Sequence, residues 1–243
     1  MALPPTFDAR LVRARMLSPI VRELVFARAD GAPLAFEAGQ WVSLVLPLPA
    51  GELRRSYSIA SRPDGSPNFE VAVTLVEGGP GSSYLHAMAP GATLQAVGPQ
   101  GFFTRPLDKA GPSLFVATGT GVTPMRSMLE DALARGDRHP LWMLFGVRHE
   151  EDLIYRAELD GLAREHGNVR VEYTLSQGGD AWTGRRGYVQ THARALWEEL
   201  AARGEGTPHT YICGLQRMVG AMRDLLRKDM ALERQLVHTE RYD

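Results

Sequence analysis

A single cysteine, Cys213, in 243 residues leaves no partner for an internal disulfide and too few thiolates for an iron-sulfur cluster or a structural zinc of the usual kind. A reducing cytoplasm is the expected compartment. Net charge is also scarce: 27 basic against 28 acidic residues give a formal charge of -1, which argues against general attachment to nucleic acid or anionic lipid. No apolar run approaches the ~20 residues needed to span a bilayer, and the opening MALPPTFDAR lacks the charged-then-apolar order of a secretory signal. The seven histidines are scattered without ligand spacing, so no metal site is expected. One local excess of charge stands out. Arg10, Arg13, Arg15, Arg22 and Arg28 outnumber Asp8 and Glu23, which reads as a basic face or equally as a strand edge guarded by charge.

What the chain does have is 44 % hydrophobic content, enough for one large core or two modest ones. Up to Pro106, short alternating apolar runs (Leu24-Val25-Phe26, Trp41 to Leu46, Phe69 to Val76) are separated by Gly and Pro turns, the pattern of a small antiparallel barrel or sandwich. A helix over Gly81 to Met88 interrupts it, with serines at its N-cap and Leu85 and Met88 three apart. After Lys109-Ala110-Gly111-Pro112, five candidate strands alternate with helical stretches: Ser113 to Thr118, Leu141 to Gly146, Val169 to Leu175, His209 to Cys213 and Leu236 to Thr239. The clearest helix, Pro124 to Ala134, gathers Met125, Met128, Leu129, Ala132 and Leu133 on one face. This alternation predicts a five-stranded parallel sheet with crossover helices. The expected domains are residues 1–106 and 111–243, with Gly178-Gly179-Asp180 and Gly204-Glu205-Gly206 as connecting loops.

Two segments carry chemistry. Arg55-Ser56-Tyr57-Ser58 sets a guanidinium, an aromatic ring and a hydroxyl on one extended segment. Arg55 suits a bidentate phosphate contact, although a surface strand carrying Arg, Tyr and Ser would read the same way. In a strand, Arg55 and Tyr57 face one side, Ser56 and Ser58 the other. Gly78-Gly79-Pro80-Gly81-Ser82-Ser83 opens the expected helix, where free N–H groups and the helix dipole favour an anion, or where a plain Gly-rich turn ends. Downstream, Gly119-Thr120-Gly121 follows the strand Leu114 to Ala117 and precedes a helix, as a phosphate-binding turn requires. Pro124 stands where the third glycine of the dinucleotide fingerprint or the helix start would fall.

RSYSIAS, the GG-x-GSSYL helix start, GPQGFF at Gly98 to Phe103, ATGTGVTPM at Ala117 to Met125 and YICG at Tyr211 to Gly214 occur in the order and spacing of the ferredoxin-NADP reductase superfamily, which the chain resembles over nearly its whole length. The resemblance implies a six-stranded antiparallel β-barrel that binds FAD, followed by a Rossmann-like α/β domain that binds NAD(P)H. By that likeness Arg55 contacts the flavin pyrophosphate with Ser56 beside it, Tyr57 lies along the isoalloxazine and Ser58 hydrogen-bonds its N5. The backbone at Gly81, Ser82 and Ser83 holds phosphates, while Gly98, Pro99 and Gly101 form a structural turn. The Gly119-Thr120-Gly121-x-Thr123-Pro124 segment has the family's GTG-x-x-P form, and Cys213 with Gly214 meets the nicotinamide in a positioning role. Glu240 and Tyr242 match the acidic and aromatic residues that relatives carry near the chain end.

Ser176 replaces the aspartate of many NADH-using relatives, and Arg148 and Arg185 match phosphate-binding arginines of bacterial members, although Gln177 departs from the arginine often found beside the serine. The resemblance therefore favours NADPH over NADH. It also implies a monomeric FAD-dependent oxidoreductase that exchanges electrons between NADPH and a separate soluble carrier, a ferredoxin or flavodoxin. A flavin reductase acting on free flavin is a second reading, disfavoured by Arg55 and the Ser82-Ser83 helix start. A non-catalytic or reductase subunit of a multicomponent system is a third.

Overall fold

Each short apolar run before residue 106 forms an antiparallel strand, because alternate side chains can be buried while their neighbours face water or another layer. The computed structural model describes residues 4–106 and 111–242; the Lys109-Ala110 junction and Asp243 lie outside the described residues. Six strands, β1 (Thr6–Met16), β2 (Val21–Arg28), β3 (Trp41–Leu48), β4 (Gly51–Ser58), β5 (Asn68–Thr74) and β6 (Thr93–Gln100), form one sheet in the order β4-β3-β6-β1-β2-β5. The sheet encloses Leu11, Phe26, Leu44, Leu46, Phe69 and Val71. Past the end of β4, the Ala60 N–H donates to the Glu70 carbonyl of β5 at 2.8 Å, drawing the two sheet edges together into a partly open barrel.

The first helix, α1 (Pro80–Ala87), starts one residue earlier than expected and is capped differently. Proline occupies the first turn, where it has no N–H to satisfy, and Gly79 is the cap without a side-chain bond. Ser82 turns back instead. Its Oγ donates to the Gly79 carbonyl at 3.1 Å and accepts the Val76 N–H at 3.1 Å.

The remaining residues form a parallel sheet from β7 (Ser113–Thr118), β8 (Leu141–Val147), β9 (Val169–Leu175), β10 (Arg185–Arg186), β11 (His209–Leu215) and β12 (Val237–Tyr242), in the order β10-β9-β8-β7-β11-β12. It has six strands rather than five. The added one, β10, is two arginines at the edge, too short and too polar to leave an apolar signature. Helices α2 (Val122–Ala134) and α3 (Arg156–Glu165) cover one face; α4 (Gln190–Ala202) and α5 (Gln216–Asp224) cover the other. Among the described residues no helix is long and apolar enough to cross a membrane.

The two sheets share a core. Val21, Ala38, Ala60, Ala72 and Phe103 of the first half join Met125, Met128 and Leu129 of α2 in one buried cluster. The small side chains let α2 approach closely. Gly39 has φ +99°, and a Cβ there would sit 2.0 Å from the Phe103 carbonyl oxygen and 2.3 Å from the Met128 methyl. The substitution Gly39→Ala therefore adds backbone strain and overpacking at one point, and should lower stability by roughly 2–4 kcal/mol in urea denaturation. A loss below ~0.5 kcal/mol would show that the seam relaxes freely.

Candidate active site

The sharpest convergence of polar groups lies where the end of β4 meets the end of the chain. β12 pairs in parallel with β11, so that Cys213 is opposite Glu240 and Leu215 opposite Tyr242. Alternation along β12 sends Glu240 and Tyr242 to the same face, and that face meets Ser58. The Tyr242 hydroxyl donates to Ser58 Oγ at 2.6 Å, and Ser58 Oγ donates to Glu240 Oε2 at 3.1 Å. Thr123 Oγ1, which donates to the Thr120 carbonyl at 2.8 Å, is 3.3 Å from the Tyr242 hydroxyl. Ser58, Thr123, Cys213, Glu240 and Tyr242 thus form one cluster drawn from both halves of the molecule.

Removal from water decides the protonation of this cluster. Burial pushes the Cys213 thiol well up, with the Glu240 carboxylate adding to the shift, so the sulfur is a neutral thiol. Burial also raises the Tyr242 phenol far above its usual range. The Glu240 carboxyl is pushed up by burial to about 7, only partly offset by the hydrogen bond from Ser58. Such a group exchanges its proton near neutrality, where proton transfer is most useful.

A cleft of about 790 Å³ opens beside the cluster, lined by Thr118, Gly119, Thr120, Gly214 and Tyr242 on one side. Its floor depends on Gly121, where a Cβ would lie 2.2 Å from the Cys213 carbonyl oxygen; the phosphate-type turn and the end of β11 are in backbone contact. Pro124 lies buried within the first turn of α2. Farther along the cleft stand Arg148, Ser176, Tyr188 and Arg217. Among the described residues Arg148 and Arg217 make no ion pair, whereas Arg185 on β10 is held by Glu172, Nε to Oε2 at 3.0 Å, and does not line the cleft. Arg217 and Tyr188 were not anticipated. The only sequence signal for Arg217 was a basic residue in the first turn of the helix that follows YICG.

On the barrel side, Arg55 and Ser56 are exposed, and Ser56 Oγ is 3.0 Å from Ser43 Oγ. Tyr57 is partly buried against the barrel core, and that burial pushes its phenol up to about 12. The start of α1 packs on the same strand: a Cβ at Gly81 would be 3.5 Å from Arg55 Cγ and 3.2 Å from Leu53 Cδ2. A guanidinium and the free first-turn N–H groups of Gly81 and Ser82 are therefore adjacent, a donor set fitted to a pyrophosphate. The Ser83 N–H is already taken by the Gly79 carbonyl at 3.0 Å, and the Ser82 hydroxyl by the turn before it.

The Glu240 shift has a measurable sign. Between its ordinary value of 4.5 and about 7, the folded chain holds a proton that the unfolded chain has lost. The contribution of this group to stability is greatest below the lower value, falls through the window and is least above the upper one. Relative to the native chain, Glu240→Gln should therefore gain on the order of 2 kcal/mol between about pH 5 and pH 8 in urea denaturation. The same difference at both pH values would show that Glu240 does not titrate there.

The comparisons with known proteins agree with this architecture. The description "Oxidoreductase FAD-binding domain" matches residues 8–104, and "Oxidoreductase NAD-binding domain" matches residues 115–224. The chain is 62% identical over 238 residues to ferredoxin–NADP reductase B of Sorangium cellulosum, covering 98% of each chain. It is 33% identical to the reductase component of phenol 2-monooxygenase from a Pseudomonas strain, of which it spans 61%. Among solved structures, the Amycolatopsis cytochrome P450 reductase GcoB superposes with a TM-score of 0.83 at 29% identity, over 99% of this chain and 71% of that one. A ferredoxin NADP+ reductase from Neisseria gonorrhoeae with bound FAD and NADP shares the fold, with a TM-score of 0.80 at 21% identity over 97% of this chain and 98% of that one. A barrel carrying the Arg55–Ser58 segment, a parallel sheet carrying the Gly119–Gly121 turn, and near full-length identity to a named member place this chain in the ferredoxin–NADP reductase family of two-domain FAD-dependent oxidoreductases.

Proposed function

We propose that the protein is an FAD-dependent reductase that moves electrons between NADPH and a separate one-electron carrier, a ferredoxin or flavodoxin, acting as a monomer in the cytoplasm. The observation that carries this reading is the meeting of Ser58, at the end of the flavin strand, with Glu240 and Tyr242 of the nucleotide half, where Thr123 in turn reaches Tyr242. A ferredoxin carrier follows the name of the 62% identical relative. Residues 1–106 and 111–243 are the two working units.

Each residue then has a defined task. Arg55 and the first-turn N–H groups of Gly81 and Ser82 hold the FAD pyrophosphate, Ser56 lies beside them, and Tyr57 offers an aromatic face to the ring. Bound FAD would supply the redox chemistry, taking up one hydride, two electrons with a proton, and giving the electrons up singly. Ser58 orients the reactive edge. Gly119, Thr120 and Gly121, with Thr123 and Pro124 starting α2, hold the pyrophosphate of the nucleotide. Cys213 and Gly214 bound the nicotinamide position, where a neutral thiol serves by packing and needs no covalent step. Glu240, partly buried and poised near neutrality, holds or releases a proton beside Ser58. Tyr242 donates to Ser58 and closes the space between the halves.

Selection of NADPH falls to Arg148 and Arg217 with Ser176, all lining the cleft, and to Tyr188, whose exposed ring suits the adenine. Arg185 is spent on Glu172. Substituting Arg148→Ala together with Arg217→Ala should raise the KM for NADPH roughly 10-fold or more over that for NADH, since each lost charge-assisted contact is worth about 1.5–3 kcal/mol. Arg185→Ala should change the ratio less than about 2-fold. A larger effect from Arg185 alone would return the assignment to that residue.

The reading as a whole is tested on purified protein. It should retain FAD through desalting, be reduced faster by NADPH than by NADH in stopped flow, and then reduce an added ferredoxin or flavodoxin. Colourless protein that reduces free FMN or riboflavin would overturn it in favour of a flavin reductase.

A further inference from the structure

A second set of contacts crosses the seam one helical turn away from the active-site cluster. Arg126 on α2 is buried, and its Nη1 donates to the Ala60 carbonyl at 3.0 Å and to Glu70 Oε2 at 2.7 Å. Its Nε donates to Glu158 Oε2 at 2.9 Å and lies 3.1 Å from Glu130 Oε1. The guanidinium also sits 4.6 Å over the ring of buried Tyr155, a residue held at φ 58°. The next residue, Ser127, is fully buried and donates from Oγ to the Ser61 carbonyl at 2.7 Å.

These contacts have a geometric meaning. Ala60 and Ser61 lie two and three residues after Ser58, and Thr123 lies three and four residues before Arg126 and Ser127, on the same side of α2. One end of the helix carries the Gly119-Thr120-Gly121 turn; one turn later it grips the backbone that extends from Ser58. A planar guanidinium with several fixed donors and a hydroxyl without rotational freedom define both distance and angle. The site's two halves belong to different sheets, and neither the apolar seam nor the hydrogen bonds of Tyr242 at the chain end would fix that angle as sharply.

We propose that Arg126 and Ser127 are positioning residues for hydride transfer. By gripping the carbonyls of Ala60 and Ser61, they set the separation between the nucleotide's phosphate turn and Ser58, and through it the approach of nicotinamide to flavin. The proposal rests on the NADPH–FAD reading above. Neither residue touches a cofactor, so their effect falls on the rate of transfer and not on the affinity for either nucleotide.

The test uses the full-length holoprotein and separates binding from chemistry by stopped flow at several NADPH concentrations. Ser127→Ala and Arg126→Lys should retain FAD and bind NADPH within about 2-fold of the native chain, while the limiting rate of flavin reduction falls roughly 10-fold or more, as small misplacements of reacting groups do. The long-wavelength absorbance of the nicotinamide–flavin contact should weaken in parallel. Arg126→Met, which keeps the stem and loses every donor, should fall further than Arg126→Lys. Should the arginine variants fail to fold, Ser127→Ala alone decides. An unchanged limiting rate overturns the proposal, as does a rate that falls only in proportion to FAD retention or NADPH affinity. If the native chain itself is not reduced by NADPH, the proposed function fails first, and that is seen before any variant is compared.

Discussion

A charged guanidinium shut away from water must keep its partners, and those of Arg126 lie on both halves of the molecule. Separating the halves would break its charge-assisted hydrogen bonds to Ala60 and Glu70 and return the guanidinium to water, so these contacts favour closure by the margin they hold over hydration. The surroundings are adapted to it. Burial alone would lower the Arg126 pKa, yet Glu130, Glu70 and Glu158 reverse the effect and keep the group charged. Fully buried Glu23 is in turn bound by Arg15 at 2.6 Å, and Arg15 reaches Glu158 at 2.8 Å. The outer face of β2 and β5, which would otherwise be the solvent side of a barrel, is therefore built as an interface. Val21 and Ala72 give it apolar area, and Glu23 and Glu70 give it directional contacts.

That interface explains why the active-site groups can be neutral. Once α2 is seated on the barrel, the ends of β4, β11 and β12 close on one another, so that Cys213 is shut from water and Tyr242 and Glu240 are only partly accessible. The thiol and phenol are driven to their uncharged forms, and the carboxyl is brought to about 7. Desolvation here is a consequence of domain packing. No single strand sequence encodes it.

The same distinction separates what was legible in the sequence from what was not. The strand that ends at Ser58 and the glycine turn between a buried strand and α2 were readable because their patterns are local. Five of the parallel strands announced themselves as apolar runs; β10, made of Arg185 and Arg186, did not. The start of α1 was misplaced by one residue because Ser82 bonds backward to Gly79 instead of capping. Charge partners were the least legible. Arg13 and Arg15 looked like part of a basic face, yet they pair with Glu23, and Arg22 donates to the carbonyls of Leu85 and His86. Arg185 was matched to phosphate-binding arginines by resemblance, and its Nε also donates to Glu172 on the neighbouring strand. Which carboxylate meets which arginine depends on tertiary placement, since Glu70 and Arg126 are 56 residues apart.

Much of the polar part of the seam converges on one short segment. Ser58 receives Tyr242 and reaches Glu240, Ala60 accepts from Arg126, and Ser61 accepts from Ser127 while its hydroxyl accepts the Glu70 N–H. Four residues thus collect the contacts of α2, β5 and the last strand. β12 is paired on one side only, as an edge strand, and Tyr242 lies at the last pair of its register. Its hydroxyl is anchored by Ser58 from one half and approached by Thr123 from the other. Loss of β12 and parting of the two halves therefore disrupt the same hydrogen bonds, so the order of β12 and the closure of the active site are one cooperative property.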